Sequence, residues 1–208
     1  MPGDDKDAGH DEGPVELSQE EYAWLQQQLE RAALEAGEDN GGYTDWEDPT
    51  GGALTQLLSA CEDGSTELVE ELLRSFPGDV NTPGPDGDAA LNLACLFGHV
   101  ECVQALLAGG ADANIVNPED KSTALHDAAA GGYLEICEKL LEKADGAIVN
   151  KADEDGDTPL HNAARGNHTA VVKLLLARGA DRNMQNGCGN KPVDEAEEEE
   201  VKELLREA

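Results

Sequence analysis

His126 and His161 stand 35 residues apart, and each is followed by a polar residue, Asp127 or Asn162. An imidazole beside a carboxylate or an amide is the raw material of general acid–base catalysis. A hydrolase or transferase built on either histidine would also need a serine or cysteine nucleophile recurring with base and orienting acid in a recognisable order, and the chain has none. Five cysteines, Cys61, Cys95, Cys102, Cys137 and Cys188, fall mostly within helical patterns and lack the CxxC spacing of a metal site. Cys188 lies in a loop pattern and is the one candidate for a reactive thiol. Asp153, Glu154, Asp155 and Asp157 around Gly156 have the look of a calcium loop. The chelating Glu required at the twelfth position is replaced by Ala164, so the site is rejected. The glycines form neither GxGxxG before a helix nor a GK[ST] ending, so no nucleotide site is expected. The chain is read as a non-enzyme with no metal and no cofactor.

The elements that carry these residues explain them better than chemistry does. Thr158 can cap a helix through its hydroxyl, Pro159 occupies a first-turn position where the missing N–H costs nothing, and Leu160 with Ala163 and Ala164 supplies a narrow apolar face. Asn167 tolerates the left-handed conformation that ends a helix. A second apolar run follows, Val171, Val172, Leu174, Leu175 and Leu176, before Gly179 provides the next stop. Two short antiparallel helices result.

The same residues resemble the ankyrin repeat, through Thr158-Pro159-Leu160-His161, Ala163-Ala164, Leu175-Leu176 and Gly179-Ala180-Asp181 with Asn183. Leu57, Leu91, Leu125, Leu160 and Val193 are equivalent, spaced 34, 34, 35 and 33 residues apart, close to the ankyrin period of about 33. Gly64, Gly98, Gly132 and Asn167 keep the same phase. The resemblance implies an all-α solenoid of stacked helix-turn-helix units with short β-hairpin loops over residues 53–208, about five units, the first and last acting as caps. It also implies that His126 and His161 are structural, bonding the Thr123 or Thr158 region and backbone between repeats. Two departures mark softer joints: Ala89-Ala90-Leu91-Asn92 loses the capping hydroxyl and the imidazole, and Lys143 to Ile148 replaces the usual Gly-Ala-Asp.

Residues 1–52 form an acidic region of different character. Ser18 and Glu21 have capping-box spacing, and Tyr22, Leu25, Leu29, Ala32, Ala33 and Ala36 recur at helical intervals, predicting one amphipathic helix over 18–36. A Gly-rich acidic linker carrying Tyr43 and Trp46 follows, with Trp46 either a recognition motif or packed on the adjacent helix. Residues 1–52 hold 15 acids and 2 bases, residues 53–189 hold 22 and 9, and residues 190–208 hold 8 and 3. Every part therefore repels nucleic-acid phosphate and anionic membrane, and the partner expected is a protein with a basic segment. The aromatic content of 3% suits thin stacked helix layers. No apolar run reaches the roughly 20 residues of a membrane span, and the first residues lack a basic and a hydrophobic region. A monomeric protein of the cytoplasm or nucleus is expected, with no nucleic acid and no membrane among its partners.

Carried over from the resemblance, the binding surface is the hairpin tips and the exposed edge of each first helix. The tips are Asp86 and Asp88, then Glu119, Asp120 and Ser122, then Glu154, Asp155 and Asp157. The edge contributes Glu62 and Asp63, Leu96 and Phe97, Ala130 and Gly131, and Arg165 and Gly166. The expectation is an acidic concave face with an apolar spot at Leu96 and Phe97, used to bind or chaperone a basic partner. The alternative is an adaptor whose N-terminal helix and linker recruit a second protein while the repeats dock it.

Overall fold

The computed structural model describes residues 46–206. The helix expected over 18–36 and the linker up to Asp45 lie outside the described residues. Ten α-helices occur among the described residues: α1 (Ala53–Asp63), α2 (Thr66–Leu73), α3 (Ala90–Leu96), α4 (Val100–Ala108), α5 (Ala124–Ala130), α6 (Leu134–Lys143), α7 (Pro159–Arg165), α8 (Thr169–Ala177), α9 (Pro192–Glu195) and α10 (Glu199–Arg206). All are shorter than the roughly 12–15 residues at which an isolated helix becomes even marginal in water. Tertiary stacking must therefore hold them. Consecutive helices pack in pairs, α1 on α2 through α9 on α10. First helices stack on first helices, α1 on α3 on α5 on α7 on α9, and second helices do the same from α2 to α10.

The core follows directly from the repeat register. Leu57, Leu91, Leu125 and Leu160 are at most 1% exposed. Buried Ala94, Ala128, Ala129, Ala163 and Ala164 leave room for first helices to approach closely, while Val103, Leu106, Ile136, Leu140, Val172 and Leu175 fill the space between layers. Val193, at the equivalent point of the last repeat, is only half-buried, and α9 there ends after one turn, with Ala196 in an extended backbone. The turns between helices use the residues the sequence marked: Gly64, Gly98, Gly132 and Asn167 have φ of 72°, 77°, 73° and 54°.

The two ends of each hairpin tip are joined by a main-chain bond, Gly84 N–H to Asp88 O, Asn117 to Ser122, Asp153 to Asp157 and Asn186 to Asn190, at 2.8–3.0 Å. Among the described residues the β pairing amounts to one isolated bridge between Val116 and Thr123. Adjacent tips also bond to one another, Glu154 N–H to Asp120 O and Gly187 N–H to Asp155 O, both 2.7 Å. That approach requires Gly156: its φ is +80°, and a Cβ there would lie 2.8 Å from the Gly187 nitrogen. The departure at Lys143–Ile148 is filled by a 3₁₀ turn, Gly146–Asn150, which buries Ile148 and Val149. The chain there takes another route into the core.

Candidate protein-binding surface

The two histidines are fixed as bridges. The Thr158 N–H donates to His161 Nδ1 at 3.1 Å, the Thr158 hydroxyl lies 2.9 Å from the same atom, and His161 Nε2 lies 3.1 Å from the Asn190 carbonyl of the next hairpin. Nδ1 is thus the acceptor, and Nε2–H donates. His126 repeats the arrangement with Thr123 at 3.1 and 2.8 Å and the Asp157 carbonyl at 3.1 Å. Burial pushes the His126 pKa down, keeping the ring neutral. Asp127, the neighbour that suggested a catalytic pair, turns instead toward Asn92, whose Nδ2 lies 3.5 Å from its Oδ2. Cys61, Cys95, Cys102 and Cys137 are buried free thiols and Cys188 is exposed. Burial pushes the thiols of Cys61 and Cys137 up to about 12 and that of Cys95 well above its ordinary value, so they are protonated packing groups.

The hairpin tips divide into two classes. Asp86, Glu119, Asp120, Glu154 and Asp155 are exposed, as are Glu62, Asp63, Ala130, Gly131, Arg165 and Gly166 on the helix edge. Leu96 and Phe97 are 45% and 49% exposed, and the Phe97 ring stacks on His99 with centroids 6.3 Å apart. Three expected contact residues turn inward. Ser122 and Asp157 are buried and Asp88 is half-buried. The physical reason is the same for both aspartates: an asparagine in the next hairpin claims the carboxylate. Asn117 Nδ2 donates to Asp88 Oδ1 at 2.8 Å, and Asn186 Nδ2 donates to Asp157 Oδ1 at 2.7 Å. Asp157, expected among the tips of the binding surface, is therefore held by the next hairpin and buried instead.

Arg165 completes this inward network. Its guanidinium donates to Asp157 Oδ2 at 2.5 Å, to Glu195 Oε2 at 3.1 Å and to Asn162 Oδ1 at 3.1 Å, clamping a hairpin to the first helices of two repeats. Burial raises the Asp157 pKa, but bonds from Arg165 and Asn186 outweigh it and hold the carboxyl below its usual value. Asp127 goes the other way. Burial, with Asp88 and then Asp120 nearby, pushes it up to about 7. Two depressions open where hairpins meet first helices. One, between the first and second repeats, is lined by Trp46, Thr55, Leu58, Ser59, Glu62, Gly84, Pro85, Asp86, Asp88 and Leu93. The other, between the fourth and fifth, is lined by Glu154, Asp155, Asp157, Arg165, Asn186, Gly187, Cys188 and Glu195.

Paired helices, imidazole bridges and hairpin tips in register all bear on the comparison with known proteins. The family described as "Ankyrin repeats (3 copies)" matches residues 36–117, 57–153, 103–186 and 144–207 in overlapping placements. The chain belongs to the ankyrin-repeat family. Among curated proteins, it is 36% identical over 88 residues to the human Notch-regulated ankyrin repeat-containing protein, covering 41% of this chain and 76% of that one. It is 38% identical over 88 residues to Notch-regulated ankyrin repeat-containing protein A of Danio rerio, covering 41% and 78%. A third match, 33% over 103 residues, is to the human SMC5-SMC6 complex localization factor protein 1, covering 49% of this chain and 10% of that protein.

Within this ankyrin stack, two further sets of ties escape a reading of the repeat signature alone. Asn81, Asn114 and Asn150 each accept, through Oδ1 at 2.8 Å, the backbone N–H of Asp112, Asp145 and Asp181 in the following repeat. His99 and His168 reach backward, their Nε2 atoms 2.9 and 2.8 Å from the carbonyls of Glu62 and Ala130. In each of the first set the asparagine stands 31 residues before its aspartate, and that fixed separation was the available signal. A third feature is the start of the first repeat. Asp48 Oδ2 accepts the Thr55 N–H at 2.8 Å and Thr50 Oγ1 accepts the Leu54 N–H at 2.7 Å, so α1 is capped from upstream. Burial raises the Asp48 carboxyl, yet its bonds from Thr50 and Thr55 hold it well below the ordinary range. Trp46, two residues before, packs partly buried against the core.

Proposed function

We propose that this ankyrin-repeat protein binds an extended basic segment of a partner protein along the face formed by hairpin tips and first-helix edges, and that it performs no chemistry of its own. The observation that carries the reading is the recurrence of exposed carboxylates in successive hairpins, Asp86, then Glu119 and Asp120, then Glu154 and Asp155. They lie in a chain of net charge −31. Ankyrin repeats are protein-interaction modules, and the relatives' names describe a regulated protein and a localization factor. Exposed carboxylates at repeat spacing attract a complementary strand at long range without losing their hydration, which favours speed of encounter over strength of contact. Leu96 and Phe97 supply the opposite contribution, an apolar anchor already oriented by the His99 ring.

The test uses the full chain and a synthetic lysine-rich peptide in stopped-flow measurements across a salt series. Asp120→Asn combined with Asp155→Asn should slow association and flatten its salt dependence, since exposed charges are screened over about 10 Å at 0.1 M salt. Phe97→Ala should speed dissociation and leave the salt slope nearly unchanged. If neither variant alters binding while deletion of residues 1–44 abolishes it, the N-terminal adaptor reading replaces this one.

A further inference from the structure

The depression beside Trp46 has a volume of about 200 Å³. That is below the roughly 300–1,000 Å³ of small-molecule pockets and suits a single side chain. Its walls are apolar where Leu58, Pro85 and Leu93 meet, and Trp46 adds an indole that is only half-buried. Glu62 and Asp86 bring exposed carboxylates to the same space, Asp88 adds a third whose Oδ1 is already bonded by Asn117 Nδ2, and no lining residue is basic. Among the described residues none of the three makes an ion pair. A methylene stem against apolar walls, a flat cation against an indole and a paired charge beside carboxylates together describe one occupant.

The repeat architecture supplies an internal contrast. The depression between the fourth and fifth repeats shares the following hairpin, the end of one first helix and a position in the next, and adds the preceding hairpin through Glu154, Asp155 and Asp157. There the position equivalent to Glu62 is Arg165, and the chain's own guanidinium lies between Asp157 and Glu195. At the Trp46 end that position is itself a carboxylate, the counterparts of Asp157 and Glu195 are Leu54 and Leu93, and the acid comes instead from Glu62, Asp86 and Asp88, so a cation there must come from outside the chain. We propose that the Trp46 depression receives one arginine side chain of the partner and so sets the register of the bound segment. The inference rests on the basic-segment reading above. Arginine is favoured over lysine because its planar fork stacks on an indole and bonds two carboxylates at once.

The experiment titrates the full chain with two nine-residue peptides of alternating lysine and glycine, one with a central arginine and the other with the uncharged isostere citrulline. Calorimetry gives the affinities, and the Trp46 indole N–H, identified by its loss in Trp46→Leu, is followed by ¹⁵N NMR. The arginine peptide should bind roughly tenfold more tightly, move the Trp46 signal, and lose that advantage in Trp46→Leu and in Asp86→Asn. Asp86 is exposed, so the second variant separates binding from folding. Equal affinities with Trp46 unmoved, and both weakened by Asp120→Asn with Asp155→Asn, would overturn the arginine site and leave the acidic face standing. Binding of neither peptide would overturn both.

Discussion

Asp127 carries its charge at a cost, and the sign of that cost can be read from its surroundings. Burial beside Asp88 and Asp120 raises its pKa from 3.8 to about 7, so the folded state holds the proton more tightly than the unfolded chain. Its contribution to stability is complete below about pH 4 and is lost as pH rises through about 7. Asp157 has the opposite sign, since Arg165 and Asn186 depress it, and its contribution is lost as pH falls below the ordinary carboxylate range. Thermal melts across this range should therefore show a maximum. Asp127→Asn should raise the midpoint on the alkaline side only, because the new amide removes the buried charge and can donate to Asn92 Oδ1, a buried acceptor with no partner among the described residues. Arg165→Gln should lower the midpoint at neutral pH and flatten the acid limb. At Leu160, fully buried, truncation to alanine should cost about 2–5 kcal/mol in urea unfolding. A loss under about 1 kcal/mol would contradict its place in the core. Leu160 was legible from the sequence, because a leucine one position after Pro159 in a capped turn has one place to go. Asp157 was not. Whether it faces water depends on Asn186 and Arg165, and nothing local to Asp157 announces either.

At the level of the helix, the second repeat is the one that departs from its neighbours. The cap position of α3 is Ala89, with no side-chain bond, and Asn92 stands where α5 and α7 place an imidazole. Asn92 is too short to act as His126 and His161 do, and among the described residues its Oδ1 finds no partner. Ala89→Thr together with Asn92→His should restore the box and stabilise the protein by about 1 kcal/mol, read as a higher urea midpoint with an unchanged slope. Either change alone should give less, since hydroxyl, N–H and ring act together in α5 and α7. This weakness was visible in the sequence because capping is local chemistry. The stop signals were equally legible, because Gly98, Gly132 and Asn167 tolerate the left-handed backbone that most side chains do not. The cap of α1 was missed for the converse reason: Asp48 reaches across seven residues to Thr55, outside the window in which capping motifs are recognised.

Over the whole molecule the ties between repeats are unequal. The junction of the third and fourth repeats is bridged by His126 forward, His168 backward and Asn150 along its base. At the junction of the second and third, Asn114 and Asn117 hold the base and hairpin, but the forward imidazole is replaced by Asn92 at 3.5 Å. The backward one is replaced by Tyr133, which packs on Gly98 and Gly131. A stack in which each repeat touches only its neighbours behaves as links in series, each bearing the same load. Stretched between its ends in a force spectrometer, the chain should part at the junction of the second and third repeats before that of the third and fourth. Two unequal extensions would follow, the earlier from the Trp46 side and the later from the segment held by His126 and His161. Asn92→His should raise the first rupture force toward the second. The bond that seemed to offer a proton for catalysis would then be measured in piconewtons, as the rivet that decides where the molecule breaks.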